Sequence, residues 1–204
     1  ALGVLPKIKT APKHHSAMKW QDLPAFYANL SSRSETAAQA LRFTILTAAR
    51  TGEVLGAGWD EFDGDVWRIQ PERMKASRLH EVPLAKEVMA IIDAQRGVSD
   101  RVVFEGQKRH CPLSNMAMEN VLRRMDVKAL GVTVHGFRST FRDWASEVAG
   151  APREVAEAAL AHNTMSKTEA AYARSTMLEK RRALMARWAQ YVTGETGQVV
   201  RIHG

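Results

Sequence analysis

The stretch TVHGFRSTFRDWASE, residues 133–147, passes from a short β-prone run into a helical pattern. His135 and Arg138 stand three residues apart where the predicted helix begins, so their side chains lie on one face of it. Backbone N–H groups and the positive end of the helix dipole lie beside them, and this combination favours phosphate binding. Spacing alone favours a simpler interpretation, in which the histidine caps the helix and the arginine is a surface residue.

Helical patterns also cover most of the chain on either side of this stretch. We expect Ser34 to cap a helix that runs to about Ala49, and Ser114 to cap a later one. Pro152 suits the first turn of another helix. The remaining predictions are a short helix after Thr51 and helices at 85–96, 114–127, 136–149, 152–161 and 177–192, the last with Trp188 in the core.

The middle of the chain has short strand-like runs instead. Val66, Trp67 and Ile69 belong to one run and residues 79–84 to the next, with polar turns before and between them. The sequence therefore predicts a mainly α fold with a small antiparallel β-sheet. Because no linker-like stretch interrupts residues 20–192, this region is expected to form one compact domain.

The composition excludes several classes of protein. Of the 204 residues, 45% are hydrophobic and 25% charged, which is ordinary for a globular protein. No stretch approaches the ~20 consecutive apolar residues that a membrane span needs. The single cysteine, Cys111, excludes an internal disulfide framework and a multi-cysteine zinc site. A formal charge of +7 favours an anionic partner, with nucleic acid first.

A second feature with chemical potential is AARTGE, residues 48–53, at the end of a predicted apolar helix. A guanidinium between small residues and a glycine turn can point into a cleft, and Glu53 can orient Arg50 through a bidentate ion pair. The alternative is an arginine that only interacts with the C-terminal end of the helix dipole.

Three further residues have suitable chemistry. His162 ends an apolar helix, Tyr172 follows ten residues later, and Lys75 lies in a turn of the predicted sheet. Taken singly they fit a helix cap, a packing residue and a solvated lysine. Taken together, two arginines, two histidines, a lysine and a tyrosine suit a phosphodiester, since they can hold its oxygens, move protons and attack phosphorus. No paired-carboxylate cluster that would hold catalytic Mg²⁺ is apparent.

The order of these six residues resembles the catalytic set of the tyrosine recombinases, also called the phage integrase family. The set is Arg50, Lys75, His135, Arg138, His162 and Tyr172. The segments that carry the resemblance are TAARTGEVLGAGWDEFD (47–63), RMKASRLHEVPL (73–84), the stretch quoted first, EVAEAALAHNT (154–164) and EAAYARSTMLEKRRALMARWAQYV (169–192). The resemblance covers about residues 17–192, and integrases of prophages and genomic islands are the most similar branch.

The resemblance implies a covalent mechanism. Tyr172 attacks the scissile phosphorus to form a 3′-phosphotyrosyl bond, Lys75 protonates the leaving 5′-oxygen, and His135 assists proton transfer at the tyrosine. His80 and Arg174 are candidate DNA contacts, with a strand-surface histidine and a solvated arginine as the alternatives. No cofactor and no metal are implied.

It also implies how the phosphate is held. Arg50 and Arg138 bind the non-bridging oxygens, His162 donates to the same phosphate, and Glu53 supports Arg50. The expected chemistry is DNA strand transfer without ATP, because the phosphotyrosine keeps the energy of the broken bond.

The resemblance sets expectations for partners and organisation as well. The partner is double-stranded DNA with attachment sites, bound by a synaptic tetramer in the bacterial cytoplasm, while the chain alone is a monomer or weak dimer. Residues 1–16 are expected to be a linker from a missing N-terminal DNA-binding region, 17–193 the catalytic domain, and 194–204 a tail that packs in cis or on a neighbour as a short strand. A type IB topoisomerase-like DNA-relaxing enzyme and a catalytically inactive DNA-binding relative remain alternatives.

Overall fold

The structure is a computed structural model that describes residues 17–162 and 177–195. Its helices are α1 (Leu23–Ser31), α2 (Thr36–Thr47), α3 (Thr51–Leu55), α4 (Lys86–Asp93), α5 (Ala117–Arg124), α6 (Gly136–Glu147), α7 (Arg153–Ala159) and α8 (Leu178–Thr193). Its strands are β1 (Phe62–Asp63), β2 (Val66–Ile69) and β3 (His80–Pro83). Short 3₁₀ turns lie at Trp20–Asp22, Trp59–Glu61, Pro71–Arg73 and Val127–Leu130.

The three strands form one antiparallel sheet in the order β1-β2-β3. Gly64, with a φ of 57°, makes the tight turn between β1 and β2, a backbone conformation that favours glycine. Strand β2 pairs with β3 in a register that sets Trp67 opposite Val82 and Ile69 opposite His80. The longer connection between these two strands carries Lys75, so the sheet determines where that lysine is presented.

Helix α2 is the centre of the core. Its residues Leu41, Phe43 and Ile45 have no exposed surface, and the helix packs against α1, α4, α5 and α8. The ring of Phe43 contacts those of Trp67 and Phe104 edge-on, with centroids 5.2 and 5.4 Å apart. The sheet and α2 therefore share one continuous apolar core.

Helix α8 closes this core from the other side. Trp188 is fully buried, and its indole Nε1–H donates to the carbonyl of Ile45 at 2.9 Å. Its ring also packs against Phe141 and Trp144 of α6, at centroid distances of 5.3 and 5.0 Å. The prediction that Trp188 belongs to the core is confirmed, and α6 is held against α2 through it.

The predicted fold class is confirmed, while several helix starts differ from expectation. Helix α2 begins after Glu35 and not at a Ser34 cap, because the first intrahelical bond is accepted by the Glu35 carbonyl. Helix α5 begins at Ala117, since Ser114 closes the preceding turn with its backbone carbonyl instead of capping with its side chain. Pro152 lies in the cap position of α7, one residue ahead of the first turn.

The two-residue strand β1 was not predicted, because two residues contain no recognisable alternation. Within the described ranges, no helix combines the length and the apolar character needed to cross a membrane. The predicted β-prone tail, like residues 1–16, lies outside the described residues.

Candidate active site

Arg138 is the best-buried charged side chain of the predicted set. It lies in the first turn of α6 and is only 4% exposed, on the buried side of the helix that Phe141 shares. Its guanidinium donates to the carbonyl of Ala48 and, at 2.6 Å, to that of Leu160. Arg138 therefore ties together the end of α2 and the end of α7.

Burial makes this guanidinium less basic without discharging it. Desolvation, followed by the nearby positive charge of Arg50, lowers the pKa of Arg138 well below that of an ordinary arginine, to about 10. The side chain stays protonated at neutral pH. A buried cation beside a second cation is electrostatically poised to bind an anion.

Arg50 reaches the same place from the opposite side. Helix α2 ends at Ala48, whose backbone is left-handed (φ 51°). Arg50 stands two residues later, in the cap position of α3. Glu53 holds it twice, accepting from the Arg50 guanidinium at 2.7 Å and from its backbone N–H at 2.8 Å. Its other guanidinium nitrogen lies 3.4 Å from the carbonyls of Leu160 and Ala161. Arg50 and Arg138 thus converge on one carbonyl, that of Leu160.

The position of Arg50 excludes an interaction with the C-terminal end of the α2 dipole. The arginine does not lie in the last turn of α2 but beyond its end, where it begins the next helix. The buried carboxylate of Glu53, 5% exposed, orients it through an ion pair, and the supporting role of Glu53 in the reaction stays a prediction.

His162 is placed beside the two arginines by the way α7 ends. The backbone N–H of His162 donates to the carbonyl of Glu157 at 3.0 Å, and the backbone N–H of Ala161 donates to the carbonyl of Ala158 at 3.1 Å. This pair of bonds is the Schellman pattern of a helix terminus. Ala161 adopts the left-handed conformation (φ 49°) that the pattern requires. The imidazole Nε2 lies 3.2 Å from the guanidinium of Arg138, and the ring is 44% exposed.

His135 lies at the entrance to the same region. It stands in the cap position of α6 without making a side-chain capping bond, so the simple capping interpretation does not hold. The exposed imidazole lines a pocket of about 340 Å³ together with Arg138, Arg142 and His162. The two residues three apart in the opening stretch therefore share a pocket, His135 at its rim and Arg138 at its base.

Lys75 lies on the exposed connection between β2 and β3. Two residues earlier, Arg73 anchors that connection through the carboxylate of Glu61 and the carbonyl of Glu53. The approach is close enough that a Cβ added at Gly56 would lie 2.8 Å from the Arg73 guanidinium. Arg73 thereby links the lysine-bearing connection to the helix that orients Arg50.

His80 is not the strand-surface histidine of the competing interpretation. It is half-buried on β3, and burial, followed by the positive charge of Arg181, lowers its pKa from 6.5 to about 4. The charges of Arg50 and Arg138 act in the same direction, whereas Glu53 opposes them. His80 is therefore neutral at physiological pH and lies within the electrostatic field of the site.

Tyr172 and Arg174 lie outside the described residues, so their predicted roles stay predictions. Conversely, sequence reasoning missed three buried or half-buried residues that organise the site, namely Arg73, Arg142 and Glu157. The only sequence sign of them is helical spacing, with Arg142 four residues after Arg138. Among the residues described, no three His, Cys, Asp or Glu side chains are grouped so that they could hold a metal ion.

Several known proteins are similar to this chain in sequence and in fold. The family model described as the phage integrase family matches residues 17–179. Prophage integrase IntA of Escherichia coli K12 is 34% identical over 165 residues, which is 78% of this chain and 40% of that protein. The integrase of Enterobacteria phage P4 is 30% identical over 205 residues, covering 90% of this chain and 46% of that protein. The chain thus spans less than half the length of these relatives.

Solved structures show the same fold. A lambda integrase tetramer bound to a Holliday junction matches with a TM-score of 0.58 at 16% identity, over 78% of this chain and 50% of that one. A lambda integrase (75–356) dimer bound to a COC′ core site matches with a TM-score of 0.59 at 16% identity, over 78% and 62% of the two chains. Since the family model covers most of the sequence, from residue 17 to residue 179, the chain belongs to the phage integrase family.

Proposed function

We propose that this chain is the catalytic domain of a tyrosine-type site-specific recombinase, an integrase that cleaves and rejoins duplex DNA for integration and excision of a mobile element. The observation that carries the proposal is the convergence of Arg50 and Arg138 on the Leu160 carbonyl, with His162 Nε2 3.2 Å from Arg138. Two guanidinium groups that meet at one carbonyl, with an imidazole beside them and a pocket lined by Arg138 and His162, suit one tetrahedral anion.

In this proposal the two arginines bind the non-bridging oxygens of the scissile phosphate. Their positions are fixed before DNA arrives, Arg50 by Glu53 and Arg138 by two backbone carbonyls. Such preorganised donors stabilise the extra charge of the pentacovalent transition state without reorganising at the moment of reaction. His162 adds a third donor to the same phosphate.

Tyr172 is the proposed nucleophile. Its oxygen forms a bond to phosphorus while the bond to the 5′-oxygen breaks, and its proton passes to His135. Lys75 gives a proton to the leaving 5′-oxygen. The resulting 3′-phosphotyrosyl bond is attacked by the 5′-hydroxyl of a second strand, which restores the tyrosine and completes strand exchange.

The proposed DNA partner and oligomeric state are taken from solved structures of similar proteins. Solved lambda integrase complexes contain DNA, one of them as a tetramer on a Holliday junction. We extend this to a synaptic tetramer on attachment-site DNA in the bacterial cytoplasm. Residues 17–193 form the proposed catalytic domain, preceded by a linker at 1–16 and followed by a tail at 194–204.

The test is covalent trapping. The attachment site is taken from the junction between the mobile element and its host genome, and a duplex with a nick close to the cleavage position traps the covalent product. We expect a protein–DNA adduct that resists denaturation and that Tyr172→Phe abolishes. Absence of any adduct when the complete enzyme is given its own site contradicts the enzymatic proposal. Relaxation of supercoiled plasmid that lacks the site would instead indicate a type IB topoisomerase-like activity.

A further inference from the structure

Glu157 is a buried carboxylate that none of the proposed catalytic steps uses. It lies on α7 with 8% of its surface exposed, and both of its oxygens are occupied. Oε1 accepts from Arg142 Nε at 2.6 Å and Oε2 lies 2.7 Å from His162 Nδ1. Burial acts to raise the pKa of this carboxyl, but the bonds from Arg142 and His162 outweigh it and hold the pKa below its usual value. Glu157 is therefore ionised at neutral pH.

An ionised carboxylate can only accept hydrogen bonds, so His162 must carry a proton on Nδ1. This fixes the tautomer of the neutral ring, in which Nε2 is then the unprotonated nitrogen. The Arg138 guanidinium, 3.2 Å away, donates to it. The Glu157 contact also fixes the ring plane, since it restrains the imidazole from the side opposite Arg138.

The same contact prepares His162 for a phosphate. A proton taken up from solvent at Nε2 turns the ring into an imidazolium, which donates from Nε2 to a phosphate oxygen while Nδ1 keeps its bond to Glu157. The carboxylate balances the new charge, which would otherwise stand unopposed beside the guanidinium of Arg138.

Arg142 holds Glu157 in place from the helix that also carries Arg138. The two arginines are four residues apart and so lie on one face of α6. Because Arg142 binds only Oε1, the second oxygen remains available to the histidine. Pairing with Arg142 alone would not require Oε2 to lie beside the imidazole.

We propose that Glu157 is a positioning residue for His162, which fixes the Nδ1–H tautomer and compensates the imidazolium, and that Arg142 in turn positions Glu157. This inference rests on the proposed function, in which His162 donates to the scissile phosphate.

The first test reads the tautomer directly. Protein labelled with ¹⁵N in histidine is examined by two-bond ¹H–¹⁵N correlation at alkaline pH, with His162→Asn used to assign the His162 signals. We expect the Nδ1–H pattern in the wild type, with the Nδ1 proton shifted downfield by its bond to the carboxylate. In Glu157→Ala the Arg138 guanidinium still faces Nε2, so the tautomer is retained, but the downfield shift of the Nδ1 proton should disappear. An Nε2–H pattern in the wild type overturns the inference, as does a downfield Nδ1 proton that persists in the variant.

The second test is a double-mutant cycle of single-turnover cleavage on the nicked duplex. Glu157→Gln keeps the shape but removes the charge, and we expect it to slow cleavage about 10- to 100-fold, as loss of a group that orients a functional ligand typically does. In a His162→Ala background the same change should have no further effect. A role confined to folding would slow both backgrounds alike, which overturns the inference.

The matched control is Glu154→Gln, an exposed position on the same helix, which should cleave like the wild type. The two proposals fail in different ways. If His162→Ala cleaves normally, the proposed function of the site is wrong. If His162→Ala is slow while Glu157→Gln is unaffected, only the positioning inference is wrong.

Discussion

At the scale of single residues, the site depends on a guanidinium that must be both buried and charged. Arg138 achieves this with a planar fork that reaches the carbonyls of Ala48 and Leu160 together. Lysine has the same charge but offers a single nitrogen on a flexible stem, so it cannot make both bonds and face a phosphate.

Arg138→Lys is therefore expected to behave almost like a deletion. We predict that it lowers the single-turnover cleavage rate about 10²- to 10³-fold, the cost of losing a preorganised donor at such a centre. The matched control is Arg187→Lys, an exposed arginine that also donates to a backbone carbonyl, that of Ala149 at 3.1 Å. Equal rates for the wild type and Arg138→Lys would show that the fork geometry is dispensable.

His80 gives a prediction about pH. Its pKa is about 4 in the folded protein against 6.5 for an ordinary histidine, so the unfolded state binds more protons between these values. The stability associated with neutral His80 is present above pH 6.5 and is lost as the pH falls towards 4. The full loss is on the order of 3 kcal/mol in the free energy of unfolding.

The measurement is urea unfolding of the wild type and His80→Gln at several pH values. Glutamine does not titrate, so the advantage of the wild type should shrink as the pH is lowered from 6.5 to 4. Parallel pH profiles for the two proteins would contradict the lowered pKa. Comparing the two also removes the contribution of carboxylates such as Glu157, which both proteins share.

At the scale of elements, the end of α7 does most to build the site. The terminus uses Ala161 in a left-handed conformation, where a Cβ costs about 1–2 kcal/mol. The terminus places the Leu160 carbonyl between the two arginines and turns His162 towards them. A helix terminus with this geometry is commonly completed by glycine.

Ala161→Gly should accordingly stabilise the protein. Glycine removes the strain that a Cβ causes in the left-handed conformation, and this gain exceeds the entropic cost of glycine's extra freedom in the unfolded chain. The free energy of unfolding should therefore rise by about 0.5–1 kcal/mol. Ala158→Gly, inside the same helix, should instead lose about 0.5–1 kcal/mol. Thermal or urea unfolding distinguishes the two, and effects of the same sign would show that α7 does not end in this way.

The sequence predicted elements well where a pattern repeats and poorly where it does not. The apolar spacing of Leu41 and Ile45 identified α2, and both residues are fully buried. The serines at 34 and 114 have the right chemistry for caps, but the neighbouring backbone supplies the bonds, and local sequence does not show which group will do so. Strand β1 is defined by its partner β2 more than by its own two residues.

The same limit applies to the site. Residues with distinctive chemistry, such as Arg50 and His162, were identified from the sequence, and the structure brings both of them to Arg138. Glu157 was not, because its two partners stand 15 and 5 residues away and meet only after α6 and α7 have packed. Supporting residues of this kind are recognised by their contacts, which are a property of tertiary structure.

At the scale of the whole molecule, the formal charge of +7 sets the expected mode of DNA binding. We predict that this chain alone binds duplex DNA weakly and that affinity falls more than tenfold between 50 and 200 mM salt, since bound phosphates release counterions. Fluorescence anisotropy across this salt range measures it, with an uncharged cosolute as the control for osmotic effects. A nanomolar complex insensitive to salt would contradict the prediction.

The groups that accept hydrogen bonds from Arg138 determine the electrostatic potential of the site in the protein without DNA. In the described part of the chain these acceptors are two main-chain carbonyls and an imidazole, all formally neutral groups, and no carboxylate bonds to this guanidinium. The hydrogen-bonding capacity of the guanidinium is thereby satisfied, while its charge is offset only at a distance, by Glu53 and Glu157. The site therefore keeps a positive potential that a small oxyanion can sense, so buffer phosphate and sulfate are expected to compete with DNA for this protein.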